Sequence, residues 1–383
     1  MRTAVLGEIA EWGSGGTPKR GIAEYFGPGT PWLSITDLND GVVLDAKESL
    51  TPAGIANSSA KVVPPGTILV AMYGSIGKLG ITGTEMATSQ AIAFAQPKDD
   101  VVDRRFLFQY LLAQRPKLQA MGRGGTQMNI GQGDLKAWPI LLPPLAEQRR
   151  IAAILDRADA IRAIRRQVLA KLDALVESIY RDMFEGHRYS CQPFEALITS
   201  QQIGLVRAAS EQGPEHPYDY VKMDAITRQG RVDLSSVSRV QASASEVAKY
   251  SLSDGDLIFN TRNTRELVGK SAVYRDAPRL YNNNLMRVRF RDNVGVDYLH
   301  HFLWSREGRQ QLDARKSGTT SVFAIYSRSL MTLEVPVPPV DLQLRFGDRV
   351  AVVNARRALA LNSLAADEEL FASLQSRAFR GEL

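Results

Sequence analysis

Apolar side chains recur at spacings of three and four residues along two long stretches of the chain. No glycine or proline interrupts the first stretch between Pro144 and Glu185, and Gly186 follows it. This spacing is typical of a helix with one apolar stripe, so we predict long helices over residues 144–186 and 340–383. At about 1.5 Å per residue, a helix of this length spans roughly 60 Å.

Neither predicted helix can bury its apolar stripe alone. We therefore expect the two helices to pack on each other as an antiparallel coiled coil. The alternative is two independent amphipathic helices, each covering its own domain. In the paired arrangement Arg165 is the only break in the first apolar seam, and the predicted interface residues are Ile154, Ile161, Val168, Leu172, Leu175, Ile179, Val350, Val353, Leu364 and Phe371.

The rest of the chain contains a long internal repeat at low identity. The apolar run Gly66–Val70 is echoed by Gly255–Phe259, and in each copy a polar loop ending in Gly-Lys follows. An alternating strand pattern, an aromatic-rich helical pattern, a Gly-Thr loop and a strand that ends in a double proline complete each copy. After the double prolines the two copies match at a constant offset of 195, for example Gln148 with Gln343. The same order of six elements indicates a true duplication.

The predicted fold class is therefore α+β, with two tandem mixed domains separated by the two long helices. We place the first domain at residues 1–143, the first helix at 144–186, the second domain at 187–339 and the second helix at 340–383.

Composition narrows the class of protein. The chain has 383 residues, of which 44% are hydrophobic and 23% are charged, as in ordinary globular proteins. Its single cysteine excludes an intrachain disulfide, and the N-terminal residues lack a signal-peptide core. We expect a cytoplasmic protein with no membrane partner. The net charge of +6 permits nucleic acid as a partner without requiring it.

The usual catalytic and cofactor motifs are missing. None of the four histidines has a second histidine or a cysteine at zinc-ligand spacing, so we predict no metal site. The glycine-rich segments 13–19 and 74–78 do not have the spacing of a phosphate loop, and no Gly-x-Ser-x-Gly elbow is present. The sequence therefore predicts no catalytic residue and no cofactor in this chain.

Polar, basic and planar side chains instead concentrate in the loops of both copies. Arginine can bridge guanine and asparagine can bridge adenine, and both side chains also bind phosphates. Residues 259–291 contain eight Lys or Arg against two Asp or Glu, which suggests that the second domain has the stronger electrostatic hold on DNA. The structural alternative is that these are ordinary solvated loops. The candidate DNA-binding residues are Lys19, Arg20, Tyr73, Ser75, Lys78, Arg123, Thr126, Gln127, Asn129, Lys222, Arg228, Asn260, Arg262, Asn263, Thr264, Arg265, Lys270, Asn282, Asn283, Lys316, Thr319 and Thr320.

Two copies of one scaffold with different loops predict recognition of two different short DNA sequences, hence of an asymmetric split site. The whole chain resembles the specificity subunit of type I restriction–modification enzymes. The motifs that carry this resemblance are Gly15–Pro18, Pro31–Leu38, Leu142–Ile151 and the tail Ala378–Leu383. The junction motif Pro-Pro-x-x-Glu-Gln is degraded in the second copy, where Leu342 replaces the acid.

The resemblance implies two target-recognition domains that each read half of a double-stranded DNA site, with the paired helices setting the spacer. It also implies two methyltransferase subunits and motor-nuclease subunits as partners. S-adenosylmethionine, ATP and magnesium would then be bound by those partners. The alternative is a solitary bipartite DNA-binding adaptor, or a modification-only module without a nuclease.

Overall fold

The two stretches with three-and-four spacing are the two longest helices in the computed structural model. The first long helix is Leu145–Phe184 and the second long helix is Val340–Arg380. The structure describes residues 2–123, 128–318 and 321–383. None of the helices in these ranges is both long and apolar enough to cross a membrane.

The chain folds into two compact units. The first unit consists of Met1–Gln167 and Asn362–Leu383, and the second unit is Val168–Leu361. Each long helix therefore contributes residues to both units. The four-segment division drawn from the sequence stays a prediction.

The described residues of the first unit form three sheets. A two-stranded antiparallel sheet joins Arg2–Val5 to Pro139–Leu142. The five-stranded sheet has the order Ala10–Ser14, Ile92–Pro97, Ile68–Ala71, Leu79–Thr82 and Val42–Val43. The four-stranded sheet has the order Glu48–Leu50, Phe26–Leu33, Met86–Thr88 and Lys61–Val63. The helices are Leu6–Ile9, Pro52–Ala56, Arg104–Ala120 and Gln132–Lys136, with 3-10 turns at Ala23–Tyr25 and Ile35–Asp37.

In the second unit, the part of the chain that the structure describes forms four sheets. Cys191–Pro193 pairs with Glu334–Pro336. A four-stranded sheet has the order Ile198–Ile203, Leu285–Phe290, Leu257–Asn260 and Ser271–Val273. The two three-stranded sheets are Ser238–Val240, Tyr218–Val221 and Leu280–Tyr281, and Arg262–Asn263, Phe323–Ala324 and Ser317–Gly318. The helices are Phe194–Leu197, Ala244–Tyr250, Val296–Trp304, Arg306–Asp313 and Ser327–Met331, with 3-10 turns at Ala209–Glu211 and Met223–Ala225.

The order of elements confirms the duplication. In both units the first strand pairs with the strand before the double proline, a short helix follows it, and the next strand joins the central sheet. The glutamines that follow the two double prolines, Gln148 and Gln343, also make equivalent hydrogen bonds. Gln148 accepts from the Asp103 N–H at 2.8 Å and donates to the Pro143 carbonyl at 2.8 Å. Gln343 accepts from the Gly295 N–H at 2.9 Å and donates to the Pro338 carbonyl at 2.8 Å.

The predicted antiparallel pairing of the long helices is confirmed within each unit. In the first unit Arg165 binds Asp367 at 2.7 Å, while Arg150, earlier in the first helix, donates to the carbonyl of the last residue, Leu383, at 2.7 Å. In the second unit Asp173 binds Arg357 at 3.2 Å, while Tyr180, later in the first helix, packs on Phe346 with ring centroids 5.7 Å apart. Earlier residues of the first helix thus contact later residues of the second.

The seam itself differs from the predicted one. Ile161, Val168 and Leu175 are 43%, 42% and 44% exposed, so their assignment to the helix interface is corrected. Predicted positions that are buried or half-buried are Ile154, Leu172, Ile179, Val350, Val353, Leu364 and Phe371. The seam of the first helix follows Ile151, Leu155, Ala158, Arg162, Arg165, Leu169, Leu172, Val176, Ile179 and Met183.

The observed seam differs from the predicted one because it contains arginine side chains. The interface includes Arg162, whose guanidinium lies 3.7 Å from the centroid of the Phe371 ring, and Arg165 with its carboxylate partner. Arginine can bury its aliphatic stem while its charge is paired. A prediction from apolar residues alone therefore places Ile161 in the interface where the structure has Arg162. Every second predicted seam position of the first helix then lies one residue before the observed one.

Candidate nucleic-acid interface

The candidate interface of the first unit lies at one end of its five-stranded sheet. Ser14 lies opposite Ala93, and Ala71 lies opposite Ile92, so three strand ends meet there. The loops that leave this end contain most of the polar residues that the sequence predicted for the first copy.

Two of these loops pair with each other through their backbones. Tyr73 forms a β-bridge with Asn129, and Asn129 forms another with Arg123. Tyr73 is 40% exposed, and the side chains of Ser75 and Arg123 are also exposed. The structure therefore brings the predicted Tyr73, Arg123 and Asn129 together on one surface.

The second unit repeats this arrangement in a more regular form. Asn260 lies opposite Leu285 at the equivalent end of the four-stranded sheet. Directly beyond it, Arg262–Asn263 pairs with Phe323–Ala324, which pairs with Ser317–Gly318. The loop that follows Asn260 and the strands Ser317–Gly318 and Phe323–Ala324 thus form a single three-stranded sheet.

The side chains of this small sheet are available to a partner. Arg262, Thr264 and Arg265 are exposed, and Asn263 is half-buried, with its side-chain oxygen accepting from the Thr264 N–H at 2.8 Å. The Arg265 guanidinium lies 5.6 Å from the Phe323 ring centroid. Exposed arginine and asparagine side chains on a short ribbon can contact base edges and phosphates.

Three predicted contact residues are buried instead. Asn260, Lys270 and Asn282 are 0%, 7% and 8% exposed. The Asn260 amide donates to the Arg262 and Asn284 carbonyls at 3.3 Å each, and the Lys270 ammonium donates to the Ile226 carbonyl. These predictions are corrected, because the side chains of Asn260 and Lys270 bind the loop backbones and all three lie below the surface.

Other predicted cations are exposed or half-buried but already hold partners. Arg20 binds Glu48 at 2.7 Å and lies over the rings of Phe26 and Trp32, and its hydrogen bond to Glu48 raises the pKa of Arg20. Lys78 donates to the Ile35 carbonyl at 3.2 Å. Both side chains therefore stabilise the loops of the first unit through contacts within the unit.

The remaining predicted residues occupy varied positions. Lys316 binds Asp313 at 2.6 Å and donates to the Arg265 carbonyl at 2.7 Å. Lys19 and Arg228 are exposed, whereas Lys222 and Asn283 are half-buried. Four predicted residues lie outside the described residues: Thr126, Gln127, Thr319 and Thr320.

The positive charge of the basic segment 259–291 is partly neutralised by carboxylates within the fold. Arg275 binds Asp297 at 2.9 Å, Arg279 binds Asp276 at 2.7 Å, and Arg289 binds Asp256 at 2.7 Å. Arg287 is buried and donates to the Ser251 carbonyl at 2.5 Å. The local net charge therefore overstates the positive charge that the second unit presents to DNA.

Several exposed side chains beside these loops were not predicted from the sequence. Met128 adjoins Asn129 in the first unit and is 42% exposed, whereas Val322 and Tyr326 flank Phe323 in the second and are 55% and 59% exposed. Apolar side chains of this kind can contact thymine methyl groups. Their position in the sequence, shortly after the glycine-threonine segments 124–127 and 317–320, was the available signal.

Comparison with known proteins gives consistent results. A family model described as the type I restriction modification DNA specificity domain matches residues 2–174. The specificity subunit of the type I restriction enzyme EcoKI from Escherichia coli (strain K12) is 23% identical over 385 residues, covering 92% of this chain and 82% of that protein. The MjaIX specificity subunit of Methanocaldococcus jannaschii is 26% identical over 192 residues, covering 49% of this chain and 44% of that protein.

Two solved structures share the fold over nearly the full chain. The S subunit of a type I restriction-modification system from M. genitalium has a TM-score of 0.58 at 13% identity, covering 99% of this chain and 96% of that one. A chain from a structural study of type I R-M complex assembly and conformational transition also has a TM-score of 0.58, at 18% identity, covering 100% of this chain and 98% of that one.

Proposed function

We propose that the chain is the DNA-recognition subunit of a type I restriction-modification system and that each unit reads one half of a split, asymmetric site, since the model of the type I specificity domain matches residues 2–174 and the EcoKI specificity subunit matches nearly the full chain. The observation that carries this proposal is the pair of exposed loop assemblies at equivalent sheet ends. One is built around Tyr73, Arg123 and Asn129, and the other around Arg262 and Asn263. A shared scaffold with different loop residues selects different bases.

The proposed role of the chain is recognition and assembly without catalysis. Two methyltransferase subunits would modify adenine and motor-nuclease subunits would cleave DNA, and these partners would bind S-adenosylmethionine, ATP and magnesium. The outer face of the first long helix supports a partner role, because Ile161, Val168 and Leu175 recur there at intervals of seven and are exposed. Exposed apolar side chains aligned along a helix are typical of a protein-binding surface.

The test is the sequence specificity of methylation by the complex assembled with its methyltransferase partner. Arg262→Ala removes an exposed guanidinium from the second unit's loop sheet. If Arg262 contacts a base, we expect a loss of about 1–3 kcal/mol in discrimination at one half of the site, with the other half unchanged.

A matched control is Arg291→Ala. Arg291 is also exposed, but it follows Phe290, at the opposite end of the strand Leu285–Phe290. Methylation by this variant should keep the wild-type specificity at both halves. An Arg262→Ala complex that methylates every sequence variant as the wild type does would contradict this placement of the interface.

A further inference from the structure

Both units contain an arginine that binds the carbonyl of the same repeated glycine. In the first unit Arg115 Nε donates to the Gly77 carbonyl at 2.8 Å. In the second unit Arg309 Nη1 donates to the Gly269 carbonyl at 3.0 Å. Each glycine precedes the repeated lysine and has a positive φ, 75° and 85° respectively. The two arginines are therefore structural equivalents.

The two arginines differ in what neutralises them. Both terminal nitrogens of Arg115 donate to the carboxylate of Asp40, at 3.1 and 2.5 Å. In contrast, Arg309 Nη2 is buried and has no hydrogen-bond partner among the described residues. Its guanidinium lies 3.8 Å from the Trp304 ring centroid, and burial lowers the pKa of Arg309 to about 10. A buried, unsatisfied donor on a charged group is costly.

The position of the missing carboxylate can be identified from the repeat. Leu33 and Val221 end equivalent strands, each paired in parallel with a later strand of its unit. Asp40 follows Leu33 by seven residues, and Arg228 follows Val221 by seven. The acid that neutralises Arg115 in the first unit is thus replaced by a base in the second.

Arg309 and Arg228 both line a cavity of about 660 Å³ in the second unit. Among the described residues, five cationic side chains line it: Arg228, Arg265, Lys270, Arg309 and Lys316. The acidic side chains in its lining are Glu266 and Asp313, and Asp313 is already paired with Lys316 at 2.6 Å. The cavity therefore has excess positive charge where the first unit has an ion pair.

We propose that this cavity binds a phosphate-class oxyanion, held by Arg309 and Arg228 in place of the carboxylate that the first unit supplies. Planar guanidinium groups bind phosphate oxygens in a bidentate manner. Free phosphate and a phosphodiester of bound DNA present the same oxygens to these side chains. The proposal stands on the charges of the cavity and goes beyond the proposed function, since phosphate binding does not require sequence recognition.

The first experiment is calorimetric titration of the full-length chain with inorganic phosphate and with pyrophosphate, in phosphate-free buffer at constant ionic strength. We expect saturable binding by the wild type. Arg309→Met removes the unsatisfied donor, and Arg228→Asp restores the arrangement of the first unit, so each should weaken binding at least tenfold. The controls Arg291→Met and Arg291→Asp make the same charge changes outside the cavity and should bind as the wild type does.

Thermal unfolding of the same proteins shows whether each variant is folded, so a loss of phosphate binding is not confused with a loss of structure. Arg228→Asp should raise the melting temperature without phosphate, because the new carboxylate can pair with Arg309. Phosphate should raise the melting temperature of the wild type but not that of Arg228→Asp.

A second arm measures the affinity for duplex DNA and separates the two sources of phosphate. If free phosphate does not bind but both cavity variants lose at least tenfold in DNA affinity relative to their Arg291 controls, the ligand is a DNA phosphodiester. If neither free phosphate binding nor DNA affinity distinguishes the cavity variants from their controls, the proposal is overturned. Sequence-specific methylation would persist in that case, so the proposed function would fail only by its own test.

Discussion

Gln148 and Gln343 explain why the double-proline junction contains a glutamine at the same place in both copies. Each side chain is almost completely buried, at 0% and 2% exposure. Each accepts a hydrogen bond from the residue that precedes a helix and donates one to the carbonyl of the first proline. The motif is therefore structural, because one amide links the backbone before a helix to the backbone of the first proline.

We predict that Gln148→Ala destabilises the first unit by about 2–4 kcal/mol, because it removes the partner of the Asp103 N–H and of the buried Pro143 carbonyl and opens a small cavity. Chemical denaturation monitored by circular dichroism measures the change. Gln167→Ala, at an exposed position of the same helix, is the control and should change the unfolding free energy by less than about 0.5 kcal/mol. Equal destabilisation by both variants would show that the buried amide has no special role.

The sequence predicts the position of a side chain well only when its hydrogen-bond partners lie close to it along the chain. The loop clusters around Arg262 and Asn129 could be predicted, because polar residues between strands are visible in the sequence. The burial of Asn260 could not, because its amide binds the Asn284 carbonyl, which belongs to a loop 24 residues away. Only the paired strands of the folded sheet bring that acceptor into reach.

At the scale of elements, the sequence predicts the two long helices correctly. It predicts only part of the surface through which they contact each other. Their seams have an unbroken alternation of three and four residues, but charged side chains occupy some of the positions. In the second helix the seam is Phe346, Val350, Val353, Arg357, Ala360, Leu364, Asp367, Phe371, Leu374 and Ala378. Arg357 binds Asp173 at 3.2 Å, as Asp367 binds Arg165 at 2.7 Å. Polar pairs inside an apolar seam fix the register of a coiled coil.

We predict that the Arg165–Asp367 pair shows a coupling free energy of about 1 kcal/mol in a double-mutant cycle. Arg165→Leu alone should destabilise the chain, because it leaves Asp367 in the seam without its cation, whereas adding Asp367→Leu should restore most of the stability. The control cycle uses the neighbouring pair Arg166 and Glu368, whose side chains are 51% and 49% exposed. It should give less than about 0.5 kcal/mol. Indistinguishable couplings in the two cycles would argue against a register role for the seam pair.

At the scale of the whole molecule, the duplication is completed by an exchange of helix ends. The last part of the first long helix belongs to the second unit, where Phe184 packs on Tyr298 with ring centroids 4.7 Å apart. The last part of the second long helix belongs to the first unit, where Phe379 packs on Tyr110 at 5.2 Å. Phe184 and Phe379 are equivalent residues, related by the offset of 195. Each unit therefore includes the end of a long helix that the other half of the repeat supplies.

This construction makes the long helices the elements that should set the spacing of the two half-sites. An insertion of seven residues in both helices, between Arg166 and Gln167 in the first and between Asp367 and Glu368 in the second, preserves the alternation of three and four. It lengthens each helix by about 10 Å. Because base pairs are stacked about 3.4 Å apart, we expect the methylated site to keep both half-sites and to gain about three base pairs of spacer.

The matched control inserts four residues near Arg165 in the first helix alone. Four residues do not complete a heptad, so the seam beyond the insertion loses its partners in the second helix. This variant should lose stability and should not recognise a site with a clean longer spacer. Methylome sequencing of a host that expresses each variant reads both the half-sites and the spacer directly. A seven-residue variant that folds and methylates with the original spacer would refute the helices as the determinant of half-site spacing.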